Sequence, residues 1–215
     1  MIDATDFTIP GSGVLKNKLG ITDSAALLKA TADSTALRLA ELRATPVRGG
    51  FDSAHLQAIH HHLYQDLYDW AGELRTIDVG NVPASQVEKS LNNVFDRLNR
   101  ENHLKGFSAE EWVRSGSAYV YDLGTIRPFL AGNEIALQEF AVELARKNNL
   151  SLQWDATPEI ASDSIALLSQ AEQSANLRRL IMLAMNTEPV AHHSPRGRPL
   201  EKGIDIFLST GNALH

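Results

Sequence analysis

The stretch with the most chemical potential runs from Thr125 to Phe140, TIRPFLAGNEIALQEF. A Pro128-Phe129 turn leads into Gly132-Asn133, and an apolar helical pattern starts at once. A loop feeding a helix N-terminus is a ready anion site, because the first N–H groups lack intrahelical partners and the helix dipole favours negative charge there. Gly132, Asn133 and Glu134 are the candidate anion- or nucleotide-binding residues, and Pro128 and Phe129 shape the turn. The side chains that would handle phosphate are absent. Arg127 carries a charge but no usable lone pair, Ala131 offers a methyl group, and Glu134 adds a negative charge at the mouth.

Other titratable groups carry less. His60, His61 and His62 are adjacent. Consecutive helical residues point about 100° apart, so the three do not converge on one metal. His62 and Asp66 are spaced i, i+4, a lone pair. Structural or surface roles are expected for all three, and a surface position for His192 and His193. No metal site is expected.

The elements that must position the loop read as helices. Thr22 or Asp23 caps a helix from Ser24 to about Arg43, with Leu27, Leu28, Leu37, Leu39 and Leu42 among its apolar residues. Pro46, Gly49 and Gly50 end it, and Asp52 or Ser53 caps a second helix to about Tyr68. Leu56, Ile59, Leu63 and Leu67 lie on one face of that helix. Gly72 breaks the pattern, Thr76 to Val79 reads as one short strand, and Gly80-Asn81 as a turn. Further helices are expected near Ser85–Asn102, Ser108–Gly124, Asn133–Asn148, Thr157–Gln170 and Ser174–Met185, with a short extended piece at Leu150–Trp154. Asn133 is the expected N-cap of its helix. Arg127 is expected to pair with Glu134 or Asp122, and Trp70 and Trp112 to pack in the core. The fold class is all-α. Residues 1–22 form an extended arm, 23–188 the helical domain and 189–215 a tail with one ordered patch at Ile204–Leu208.

Composition narrows the function classes. The chain has 215 residues and a net charge of −6, so bulk attraction to nucleic acid or an anionic membrane is not expected. It has no cysteine, which excludes disulfides, thiolate metal sites and a cysteine nucleophile, and fits a reducing cytosol. No apolar run approaches the roughly 18–20 residues that span a bilayer. Met1 to Gly13 lacks the pattern of a secretory signal.

Three stretches resemble the Fic (Fic/Doc) family. The first runs from Phe51-Asp52 through Leu56, Ile59-His60 and Leu63 to Tyr68-Asp69-Trp70-Ala71-Gly72-Glu73-Leu74-Arg75, similar to the family helix that enters a "WAGE-R" segment. The second is the N-terminal Leu15-Lys16-Asn17-Lys18-Leu19-Gly20-Ile21. The third is Ile126-Arg127-Pro128-Phe129 followed by Gly132-Asn133, in the place of the family motif H-P-F-x-[DE]-G-N-G-R-x-x-R. The resemblance implies a Fic-like helical bundle with a short β-hairpin flap. It also implies protein adenylyltransferase chemistry. The motif His takes a proton from a target hydroxyl as it attacks the α-phosphate of ATP, the acidic residue holds Mg²⁺, the glycine turn cradles phosphate, and two Arg residues clamp its charge.

This chain departs from the motif at the positions that do chemistry. Arg127 stands at the His, Ala131 at the metal carboxylate, Glu134 at the third Gly, and Ile135 and Gln138 at the two Arg positions. The flap is short, since only residues 76–82 separate Arg75 from Pro83, which puts strand-type docking of a target in doubt. The family's self-inhibitory S/T-x-x-x-E-G/N motif is absent. The expected function is therefore a degenerate Fic protein, a pseudoenzyme acting as a binding or regulatory module with a protein partner and no cofactor. The alternative is an active transferase with altered chemistry, using ATP and Mg²⁺, in which Glu134 or Glu139 replaces the base. A cytoplasmic toxin–antitoxin component or an effector delivered into another cell fits either reading.

Overall fold

The computed structural model describes residues 4–79, 81–153, 178, 181–182 and 185–186. Within them lie the helices α1 (Ser24–Ala44), α2 (Ser53–Tyr64), α3 (Ala84–Arg100), α4 (Ala109–Ile126) and α5 (Asn133–Lys147). A two-stranded antiparallel ladder pairs β1 (Ser151–Leu152) with β2 (Met185–Asn186). The all-α expectation holds.

Helix ends follow local chemistry. Asp23 and Asp52 cap α1 and α2, each accepting from a backbone N–H in the first turn. Ser108 and Glu111 form a reciprocal capping box at the start of α4. Pro83 precedes α3 and has no side chain to offer, so Asp78 in the flap accepts from the Ala84 N–H at 2.7 Å instead.

α5 is the most enclosed helix. Ala136, Ala141 and Ala145 are buried along it and let α2 and α4 approach closely. Leu56, Ile59, Leu63 and Leu67 form the predicted face and are fully buried. Phe140 meets Phe51 and Phe95 edge-on, with ring centroids 5.6 and 5.7 Å apart. Trp112 is fully buried and Trp70 half-buried, stacked on Tyr68 at 4.4 Å.

Several expectations are corrected. α2 stops at Tyr64 rather than Tyr68, because the Leu67 N–H bonds the Tyr64 carbonyl three residues back and leaves the four-residue ladder. Thr76–Val79 is not a strand; the hairpin is one bridge, Val79 to Val82. Met185 belongs to β2, opposite Leu152, and not to a helix. In α1, Leu27 and Leu42 are buried while Leu28 and Leu37 lie in solvent, since the five leucines do not share one face. The N-terminal arm is docked: the Lys18 N–H donates to the Leu67 carbonyl, and Thr8 and Leu15 form a bridge. The helix at 157–170, most of that at 174–185, and the tail with His192, His193 and residues 204–208 lie outside the described residues.

Away from the loop, the α3–α4 corner has an unusual backbone. Asn102, His103 and Leu104 are consecutive left-handed residues, with φ of 50, 54 and 61°. Phe51 (φ 58°) and Asn149 (φ 60°) are left-handed too, and the Asn148 amide beside the latter donates to the His103 carbonyl at 2.9 Å.

Ser108→Ala removes the hydroxyl half of the capping box, the acceptor of the Glu111 N–H, and keeps the backbone half from the Ser108 N–H to Glu111. It is expected to lower stability by about 1 kcal/mol, read as a lower urea midpoint with an unchanged m-value.

Candidate functional site

The loop between α4 and α5 keeps its shape through its backbone. Arg127 caps α4 in a left-handed conformation, φ 48° and ψ 67°. Pro128 and Phe129 are buried beneath the loop. Gly132 is left-handed (φ 74°) and is the N-cap of α5, with no side-chain cap. Asn133 is therefore not the cap that its sequence position predicts. Its amide accepts from the Phe129 N–H and donates to the Phe129 carbonyl, both at 2.9 Å, which closes the loop on itself.

Gly132 is required twice over. Its φ disfavours any side chain, and a Cβ there would collide with the Tyr64 ring. Tyr64 is itself buried, and burial pushes its hydroxyl pKa up, with Tyr68 and the Glu134 charge adding to the rise.

One residue of α2 and one from the segment that leaves it hold the loop from below. His60 is fully buried and stacks on Phe129 with centroids 3.8 Å apart and planes inclined by 19°. Its Nδ1 accepts from the Gly72 N–H at 2.9 Å, so Nε2 carries the proton and donates to the Ala131 carbonyl at 2.9 Å. Burial pushes the His60 pKa down to about 4. The second residue is Arg75. Its backbone N–H donates to the Pro128 carbonyl, and its guanidinium donates to the carbonyls of Ile126, Arg127, Ile77 and Val82. Those carbonyls are the end of α4 and both ends of the flap. Burial lowers the Arg75 pKa from its usual range, and the nearby Arg127 charge lowers it further, against Asp78.

The structural role expected for His60 holds, but His61 and His62 diverge from it in space as the spacing predicts. His62 Nε2 meets the Arg38 carbonyl at 3.1 Å. Asp66 pairs with Arg38, not with His62. The expected partners of Arg127 are also corrected: Asp122 pairs with Arg97. The Arg127 side chain is exposed, as is Glu134 in the first turn of α5. Glu139 faces away from the loop mouth into the α1–α5 interface, 1% exposed and 3.2 Å from Arg43. Sequence reasoning quoted Arg75 without giving it a role. A lone Arg after Trp70-Ala71-Gly72-Glu73-Leu74, ahead of a loop rich in free carbonyls, was the available signal.

Residues 50–142 match the sequence model of the Fic/DOC family. Over 191 residues the chain is 31% identical to the probable protein adenylyltransferase Fic of Salmonella typhimurium, covering 85% of this chain and 94% of that one. The chain belongs to the Fic/Doc family. It is also 34% identical over 154 residues to the protein adenylyltransferase VbhT of Bartonella schoenbuchensis, covering 69% of this chain and 32% of that longer protein. Its fold matches that of BepC, a VirB-translocated effector of Bartonella tribocorum solved with bound AMPPNP, with a TM-score of 0.78 at 22% identity, over 86% of this chain and 98% of that one.

A magnesium–nucleotide group, which the family implies, does not fit the side chains at this Fic loop. Position 131 presents a methyl group, and its carbonyl is already bonded to His60. Ile135 and Gln138 bring no positive charge, and Glu134 brings a negative one.

Gly132→Ala is expected to destabilise the fold by at least about 2 kcal/mol, from overpacking against Tyr64 plus left-handed strain; thermal denaturation measures it. A lowered His60 pKa means that the unfolded chain binds this proton first as pH falls. Stability is present above about pH 6.5 and is lost on the way down to about 4, by roughly 3 kcal/mol. His60→Gln keeps one acceptor and one donor and is expected to flatten that limb of the urea-stability profile.

Proposed function

We propose that this Fic domain does not transfer AMP by the family's base-assisted route, and that it serves as a protein-binding or regulatory module. The observation that carries the reading is the state of position 127. An exposed guanidinium stands where a base is needed, on a residue whose backbone caps α4 and whose carbonyl is held by Arg75. A guanidinium has no lone pair to accept a proton at neutral pH. One of the two candidate replacements, Glu139, is enclosed between helices and bonded to Arg43. Loss of a base and of charge stabilisers costs orders of magnitude each in other enzymes.

The transferase reading keeps one carboxylate, since Glu134 is exposed in the first turn of α5. In that case ATP and Mg²⁺ are the cosubstrate and cofactor, and a protein hydroxyl is the acceptor. The partner in either reading is a protein rather than nucleic acid or membrane, in keeping with the net charge of −6. No described helix is long and apolar enough to cross a membrane. The proposed setting is the cytoplasm, either of the producing cell or of a cell that receives the protein as an effector.

Incubation with labelled ATP, Mg²⁺ and a lysate of candidate targets is expected to give no transferred label, and ATP is expected to give no thermal shift. Label transfer that disappears in Glu134→Gln would overturn the proposal and establish the altered transferase.

A further inference from the structure

Beside the loop, a small apolar notch opens between three parts of the chain. The N-terminal arm contributes Phe7, the segment that leaves α2 contributes Trp70 and Leu74, and the loop contributes Leu130. All four are half-buried. The notch holds about 30 Å³. A small-molecule or cofactor site takes roughly 300–1,000 Å³. The notch therefore admits the end of one side chain and not a nucleotide.

Its walls are tied down before anything binds. The Trp70 ring stacks on Tyr68 with centroids 4.4 Å apart. In the arm, the Ile9 N–H donates to the Val14 carbonyl at 2.7 Å and the Lys16 N–H to the Phe7 carbonyl at 2.8 Å. Lys18 fastens the arm to the end of α2. Its N–H donates to the Leu67 carbonyl and its ammonium to the Gln65 carbonyl, both at 2.8 Å. Leu130 lies between Phe129 and Ala131, whose backbone is held by Asn133 and His60. A preformed notch of this kind loses little conformational freedom on binding.

The surroundings are acidic. Glu73 lines the notch and is exposed, and its carboxylate has no partner among the described residues. Asp69 and Asp78 are exposed on either side of it in the sequence. Asp69 meets only Lys18, at 3.6 Å, with its own side chain 93% exposed. Arg75 also lines the notch, but its guanidinium is spent on the carbonyls of Ile126, Arg127, Ile77 and Val82.

We propose that this notch is the docking point of a basic protein partner. A segment of the partner inserts one aliphatic side chain between Phe7, Trp70, Leu74 and Leu130 and sets a Lys or Arg against Glu73. The assignment rests on the reading of the domain as a protein-binding module, and adds the place and the chemistry of the contact. Apolar burial supplies the anchor, and the acidic rim supplies steering and orientation. A second copy of this chain is a poor occupant, because a net charge of −6 opposes bringing two such rims together.

A phage-displayed library of short linear peptides, selected on the immobilised full chain without nucleotide, tests the notch. Enriched peptides are expected to carry an aliphatic residue with Lys or Arg within two positions of it. A fluorescent version of an enriched peptide is expected to bind at least about tenfold more weakly to Glu73→Lys and to Leu130→Asp, and to weaken as salt rises. Glu88→Lys, the same charge change at an exposed position on α3, is expected to leave binding unchanged. Glu73 is exposed, so its variant decides the outcome where Leu130→Asp fails to fold. No enrichment, enrichment of acidic or uncharged peptides, or an equal loss in Glu88→Lys overturns the proposal. Sedimentation of the full chain as a dimer that Glu73→Lys dissociates assigns the notch to a second copy and overturns it as well. Label transfer from ATP counts against the loss of AMP transfer alone, since the peptide readout uses no nucleotide.

Discussion

The Arg75 guanidinium is the interaction on which the loop region depends. A helix ends with carbonyls that have no intrahelical partner, and a short flap with a single bridge leaves more of them. Here one planar cation with five N–H donors meets both sets at once, at Ile126 and Arg127 on one side and at Ile77 and Val82 on the other. The cation sits at a helix C-terminus, where the dipole favours positive charge. Lysine could not replace it, since three donors on one nitrogen cannot span the same carbonyls. His60 does the matching work from the other end of the loop, with Gly72 and Ala131 as its two partners.

His60 lies in α2 and Arg75 in the segment that leaves it, and that is why helix, segment and loop form one unit. The aromatic stack of Phe129 and His60, with Trp70 beside it at 6.0 Å, fills the space between them. Tyr64 closes the last side against Gly132. What remains on the surface of this unit is Arg127 and Glu134, and neither is used to hold it together.

Much of the fold was legible because its signals are local. The acids Asp23 and Asp52, the Ser108–Glu111 box, and the three- and four-residue spacing of Leu56, Ile59 and Leu63 each state a helix without reference to anything distant. The left-handed position at Gly132 was readable from residue type as well. The roles of Arg75, His60 and Asn133 were not. A buried Arg and an exposed one look alike in sequence, and its partners lie more than fifty positions away at Ile126 and Arg127. Asn133 looked like a cap because asparagine favours caps, yet an amide that can both donate and accept is satisfied better by the two polar groups of Phe129. Leu28 and Leu37 lie in solvent although they are as apolar as Leu27 and Leu42, since leucine content alone does not say which face a helix turns inward.

The hydrogen bonds that support the loop all grip main-chain atoms: the Ala131 carbonyl, the Arg127 and Pro128 carbonyls, and the Phe129 amide group. Side chains at 127, 131 and 134 make none of these hydrogen bonds. Such an arrangement separates the selection of shape from the selection of activity. Exchanges at those positions alter the chemistry of the loop surface while the bonds that fold the loop stay in place.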